Sequence, residues 1–168
     1  MKFLSALTIL IATSGVAQAF WQYSAPQTGL GPSASVSSSN RAMGDLELNC
    51  NMIRYQSGAQ DVYEELLAKR AVRFDFMKNG STVVGSMDFS EFNSTIEVAE
   101  GYIAIIPNDM ADIDFVYDQL RRNRVVVVSR SGEEFSYGIF GLEGSSKAIG
   151  ALQASCRKNP QDAFGRPL

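Results

Sequence analysis

Histidine does not occur anywhere in the 168 residues. That absence removes Ser-His-Asp and Cys-His nucleophilic catalysis, histidine-ligated metal sites and a histidine pH switch together. Any enzymatic chemistry would have to rest on carboxylates, lysine, tyrosine or a lone thiolate. Positive charge is also short: 15 Lys and Arg stand against 18 Asp and Glu, a formal net charge of −3. Nucleic-acid binding calls for a basic stripe along the phosphates, and the cations here are scattered. The one cluster is Arg121, Arg122 and Arg124, which reads as a solvated helix end complementing the helix dipole. Apolar runs of about 20 residues, the length a membrane span needs, are missing as well. Cysteine occurs twice and tryptophan once.

The first 19 residues, MKFLSALTILIATSGVAQA, combine Lys2, an apolar stretch from Phe3 to Ala12 and small residues at Ala17 and Ala19. This pattern predicts a secretory signal peptide over residues 1–19, cleaved after Ala19, with periplasmic export as its consequence. The expected mature chain fits one β-rich domain over residues 20–158 with a polar, proline-bearing tail over 159–168. Loss of Lys2 with the leader makes its formal charge one unit more negative. In an oxidising compartment the two cysteines are most simply a disulfide between Cys50 and Cys156 rather than a reactive or metal-bound thiol. It would close a loop of about a hundred residues, for which chain-entropy arguments give an upper figure of about 4 to 5 kcal/mol.

Beyond the leader, strand patterns dominate. Trp21 and Tyr23 alternate like an edge strand, and Ala34, Val36 and Ser38 suggest a second, joined to it by a turn around Gly29 to Pro32. In LELNCNMIRY, Leu46, Leu48 and Cys50 share one face, so Cys50 is expected to point inward from a strand. In AVRFDFMKNGSTVVGSMDF, Asn79-Gly80 is a strong hairpin signal. A two-residue turn there sets Phe76 opposite Val83, Phe74 opposite Gly85 and Val72 opposite Met87, with Arg73 and Asp75 outward. Further strands are expected at Thr95 to Val98 and at Tyr102 to Ile106, the latter stopped by Pro107. Val125 to Val128 reads as a strand buried on both faces. In EFSYGIF, Phe135, Tyr137 and Ile139 are expected to share a face.

Helical spacing occurs in NDMADIDFVYDQLRRN, where Ile113, Val116, Tyr117 and Leu120 form a stripe, Asp109 or Asp112 lies at the start and arginines at the end. A final helix from about Ser145 to Cys156 carries Ile149, Leu152 and Cys156 on one face, with Ser145 or Ser146 as its cap. Gly58 to Ala71 could be a short helix or a strand. The fold class these elements predict is mainly β with one or two helices: an antiparallel, sandwich-like domain with a disulfide-fastened C-terminal helix.

Several groups have the composition of a chemical site and the wrong spacing for one. Asp109, Asp112, Asp114 and Asp118 miss the order of a calcium loop and read as an acidic helix start. Ser145, Ser146 and Lys147 are adjacent, and neighbouring helical residues point about 100 degrees apart; the S-x-x-K spacing that would stack serine on lysine is missing. Glu64-Glu65 and Glu133-Glu134 diverge for the same reason, so no carboxylate dyad is indicated. Asn79-Gly80-Ser81 and Asn93-Ser94-Thr95 match the glycosylation sequon, a frequent chance pattern. Trp21 and Tyr23 form a candidate partner surface, since aromatics anchor interfaces; the rival reading puts Trp21 in the core.

The order of Trp21 in a short strand, LELNC, AVRFDF and the run DFVYDQLRRNRVVVVSRSGEEFSYGIFGLEGSSKAIGALQASC resembles periplasmic proteins of the type VI secretion-associated TagO/VasI family. It is more loosely similar to small secreted proteins of the invasion-associated locus B kind. The resemblance rests on Arg73, Phe74 and Asp75, on the Leu120 helix leading into Val125 to Val128, and on Phe140, Leu142, Gly144, Ala148, Ile149, Leu152 and Cys156. It covers about two thirds of the chain. It implies a non-enzymatic accessory or binding protein of the envelope, whose expected partner is an envelope protein or secretion component. No metal, cofactor, nucleic acid or small-molecule ligand is indicated. A periplasmic inhibitor of a lytic or proteolytic enzyme is the alternative, and would expose a protruding loop near Ser90 to Ser94; an envelope hydrolase is the weakest reading.

Overall fold

A computed structural model describes residues 20–27, 31–38, 44–57, 64, 68, 70–99, 101–130 and 136–158. The expected leader over 1–19, the tail over 159–168 and nearly all of the Gly58 to Ala71 segment lie outside the described residues. Within that last segment Glu64 and Ala68 are helical, and Ala71 already belongs to a strand.

Alternation of apolar and polar residues sets the strands, because side chains two apart share a face. β1 (Gln22–Ser24), β2 (Ser33–Ser37), β3 (Asp45–Leu48), β4 (Ile53–Gln56), β7 (Ser94–Ala99) and β8 (Tyr102–Pro107) form a six-stranded sheet in the order β1-β2-β3-β4-β8-β7. β5 (Ala71–Met77), β6 (Val83–Ser90), β9 (Val125–Ser129) and β10 (Ser136–Gly141) form a four-stranded sheet in the order β10-β9-β5-β6. Every pairing is antiparallel. Inward residues of both sheets, among them Leu46, Leu48, Ile53, Tyr55, Phe74, Phe76, Val126, Val128 and Phe140, are fully buried in one core. Edge-to-face ring pairs stitch it: Tyr55 on Phe140 at 6.2 Å and Phe74 on Phe89 at 5.8 Å.

Two helices whose full extent lies among the described residues close the fold. α1 (Met110–Arg122) joins β8 of one sheet to β9 of the other and buries Ile113, Val116, Tyr117 and Leu120, the stripe legible in the sequence. Asp109 caps it by accepting from Ala111 N at 2.8 Å. α2 (Ser145–Lys158) buries Ala148, Ile149 and Leu152. The Cys50–Cys156 disulfide fastens it with Cα atoms 5.5 Å apart. Before α2 the chain turns at Gly144, whose φ is +80°; a Cβ there would stand 2.8 Å from the Phe20 ring.

Five sequence expectations are corrected. Cys50 follows β3 in the turn leading to β4, a strand the sequence reading did not separate, and is buried there. The β5–β6 hairpin turns over Lys78 to Thr82, with Lys78 N donating to Thr82 O at 3.3 Å. Phe76 therefore faces Gly85, Phe74 faces Met87 and Val72 faces Phe89. The slip is two residues, so Val72, Phe74, Phe76, Gly85 and Met87 keep their predicted face, but a register shift between Phe76 and Met77 sets Val83 beside Met77 on the outer one. Val125 and Val127 are only half-buried, because the outer side of the four-stranded sheet carries no further layer among the described residues. A register shift between Ser136 and Gly138 separates Tyr137, buried, from Ile139, 41% exposed, so these two do not share an environment. Phe135 lies outside the described residues. Finally, the Ser145 hydroxyl donates across to Leu120 O at 2.7 Å and ties α2 to α1 instead of capping its own helix, while Ser146 is exposed.

Candidate protein-interaction site

The β6–β7 connection begins as an ordinary chain reversal and becomes a densely hydrogen-bonded one. Ser90 N donates to Asn93 Oδ1 at 2.9 Å, Asn93 Nδ2 to Asp88 O at 2.8 Å, and Asn93 N to Ser90 O at 3.1 Å. The Ser94 hydroxyl, on a buried residue, donates to Ser90 O at 2.8 Å. Asn93 thus acts through its side chain as a local template for the backbone, the usual reason asparagine is favoured in turns. Asn108 N then donates to Asn93 O at 2.9 Å, which ties this turn to the segment entering α1. Beside it, Arg70 pairs with Glu91 at 2.9 Å.

On this braced turn sits Phe92, 97% exposed. Phe89, three residues earlier on β6, is fully buried against Phe74. Near the linked segment Met110 is 49% exposed at the start of α1. Exposed aromatic side chains of this kind are how interfaces obtain their anchor residues: a large apolar area at a small entropy cost. The backbone of the turn is fixed in advance, so docking would order little beyond the ring itself. Acidic groups frame it: Asp88, Glu91 and Asp109 are solvent-exposed.

The residues proposed from sequence fall elsewhere. Trp21 is not surface but core, 2% exposed, with its indole N–H donating to Gly141 O at 3.1 Å; tryptophan next to a strand edge has filled a packing role. Tyr23 is 36% exposed on β1. β1 and β7 are opposite edges of the six-stranded sheet. Five interstrand steps of about 4.8 Å therefore separate Tyr23 from the strand that leaves the Phe92 turn. Cys50 and Cys156 are consumed by their bond and leave no thiol among the described residues. Arg121, Arg122 and Arg124 are exposed, Arg122 paired with Asp118 at 2.8 Å.

One polar cluster was not singled out in the sequence. On the outer face of the four-stranded sheet, Arg73 binds Asp75 through Nε at 2.9 Å, Asp88 through Nη1 at 2.9 Å and Ser86 through Nη2 at 2.9 Å. The Ser86 hydroxyl donates to Asp75 Oδ1 at 2.5 Å. Every guanidinium nitrogen is occupied, so the arrangement joins β5 to β6 and presents no open position. Phe92 itself had a signal: in FSEFNS it stands three residues from Phe89, which places the two rings out of phase in any strand.

No protein-family model, curated protein or solved structure matches the chain.

Proposed function

We propose that the protein is a non-enzymatic, exported binding module of the cell envelope, and that Phe92 is the residue through which it holds a protein partner. The observation that carries this reading is a phenylalanine 97% exposed on a turn held by its own hydrogen bonds. Left to solvent, such a ring brings no stability to the fold, whereas a partner pocket would recover most of its burial energy, about 1.5 to 3 kcal/mol. The disulfide fits an oxidising compartment, the N-terminal leader pattern supports export, and the resemblance to type VI secretion-associated periplasmic proteins supports an accessory role.

Capture tests it. Protein immobilised through its C-terminus and exposed to envelope extract should retain a partner that Phe92→Ala retains at least about tenfold less well, the loss expected of an anchor residue. Equal retention by both would overturn the reading. The same turn favours one second reading, a stoichiometric inhibitor of a lytic or proteolytic envelope enzyme. It predicts that the captured partner is an enzyme whose turnover falls to zero at one equivalent.

A further inference from the structure

The Phe92 turn restricts what can receive it, and resting on the reading above we infer that its partner is a second copy of this chain, docked head to tail. The turn and its neighbours are acidic. Asp88, Glu91, Asp109 and Asp114 are exposed around Phe92 and the first turn of α1, with Asp112 half-buried there. Arg70 and Arg73 answer only Glu91 and the Asp75–Asp88 pair. No described cation pairs with Asp109, Asp112 or Asp114. A complementary surface must therefore be apolar at its centre and cationic at its rim.

The chain carries such a surface at its other end. Val83 and Val84 are 46% and 49% exposed at the start of β6. Val83 lies beside Met77, and Met77 beside Val125, both half-buried on the outer face. Around this strip stand the exposed Lys78, Arg121, Arg122 and Arg124; Arg124 N donates to Met77 O at 3.1 Å, which fixes it against the hairpin. Asp118 answers Arg122, and Glu143 lies in the same region next to Leu142, whose N–H donates to Arg124 O. Arg121 reaches α2, its Nη1 donating to Gln153 Oε1 at 3.2 Å, so Lys78 and Arg124 remain as the rim.

Both ends are linked by the same two elements. β6 runs from Val83 to the Phe92 turn, eight residues or about 26 Å. α1 runs the opposite way, from Met110 beside that turn to Arg122 at the basic end, thirteen residues or about 20 Å. One copy cannot bring its own ends together across that length. Two unlike, complementary patches on one chain give a heterologous contact, which repeats instead of closing as a two-fold dimer.

The test is sedimentation of the purified, disulfide-intact protein against concentration and salt. The weight-average mass should rise past that of a dimer with concentration at about 0.02 M salt and fall back toward the monomer at about 0.5 M, where screening shortens the reach of the charges. Phe92→Ala removes the head and Val84→Lys, at an exposed strand position, the tail. Each variant alone should be monomeric, with association weakened at least about tenfold. Mixed in equal amounts they should form a one-to-one dimer and nothing larger, because one intact head meets one intact tail. A protein monomeric at every concentration and salt overturns the head-to-tail contact, as do a mixture that stays monomeric or an association that survives Phe92→Ala. If such a monomer still captures an envelope protein through Phe92, the binding reading stands and only the second copy is excluded as partner. Loss of neither capture nor association on Phe92→Ala overturns both.

Discussion

Phe89 and Phe92 show how far one residue type can diverge within a single turn. Phe89 is fully buried in the core and Phe92 is 97% exposed. Removing the first ring should cost about 3 to 5 kcal/mol of stability through lost transfer energy and a cavity. Removing the second should change stability by no more than about 0.5 kcal/mol. Urea denaturation of Phe89→Ala and Phe92→Ala separates these outcomes, and comparable losses would mean that Phe92 is structural. Tyr55 makes a second residue-scale prediction. Its hydroxyl donates to Tyr137 O at 2.9 Å, and burial pushes its pKa up to about 12. The raised value means that the folded state favours the protonated phenol. This contribution is intact below the unfolded value near pH 10 and is lost as pH rises through about 12. Tyr117, buried and near Asp114, is shifted in the same direction. Stability measured by denaturant titration should therefore fall steeply between about pH 10 and 12. In Tyr55→Phe, less stable at neutral pH for want of its hydrogen bond, the alkaline fall should be shallower.

Among the elements, β10 is the one most heavily guarded. It is an edge strand, and edge strands offer unpaired carbonyls to other chains. Tyr137 O accepts from Tyr55, Ile139 O from the Ser38 hydroxyl at 3.1 Å and Gly141 O from the Trp21 indole. Alternate carbonyls on one side of the strand are thus met by side chains from the opposite sheet and its approach. Trp21 N also donates to Glu143 O at 3.2 Å, extending the seam past the strand end. Trp21→Ala should unblock one carbonyl and open a cavity, costing about 3 to 5 kcal/mol and exposing a strand edge to self-pairing. The check is light scattering during mild heating beside a denaturation curve: aggregation should begin earlier than in a core variant of equal stability, such as Leu152→Ala. Equal onset would assign Trp21 to packing alone. None of this seam was legible in the sequence, because the three donors lie 120, 101 and 82 residues from their acceptors. Local signals did better. Arg73 and Asp75 point outward as read, and the two-residue slip of the hairpin left that intact. The four valines misled because a run of β-branched residues reads alike whether its outer half is covered by another layer or only by neighbouring side chains.

At the scale of the whole molecule, alternation and helical spacing were enough to give the sandwich, both described helices and the disulfide, since each follows from periodicity or cysteine count. Phe92 was only partly legible. Its loop position could be read, but its exposure depends on Asn93 and Asn108 fixing the turn, a contact between segments that no local pattern encodes. The disulfide is the covalent tie between distant parts of the described chain. It joins the β3–β4 turn of the six-stranded sheet to the last helix across 106 residues. The loop so closed contains α1, most of α2 and most strands of the two sheets, so its effect on the unfolded chain should be felt globally. The chain-entropy argument gives about 4 to 5 kcal/mol as an upper figure. For a chain of this size each kcal/mol shifts the melting temperature by about 2 to 4 °C. The double variant Cys50→Ser/Cys156→Ser should melt roughly 8 to 20 °C lower, while retaining the Phe92-dependent capture in the cold, because the turn is held by its own hydrogen bonds far from α2 in the chain. Calorimetry of the variant and of the reduced parent checks the first outcome and capture the second. An unchanged melting temperature would show that packing of Ile149 and Leu152 seats α2 unaided. Capture lost by a variant still folded would instead make the bond part of the binding surface.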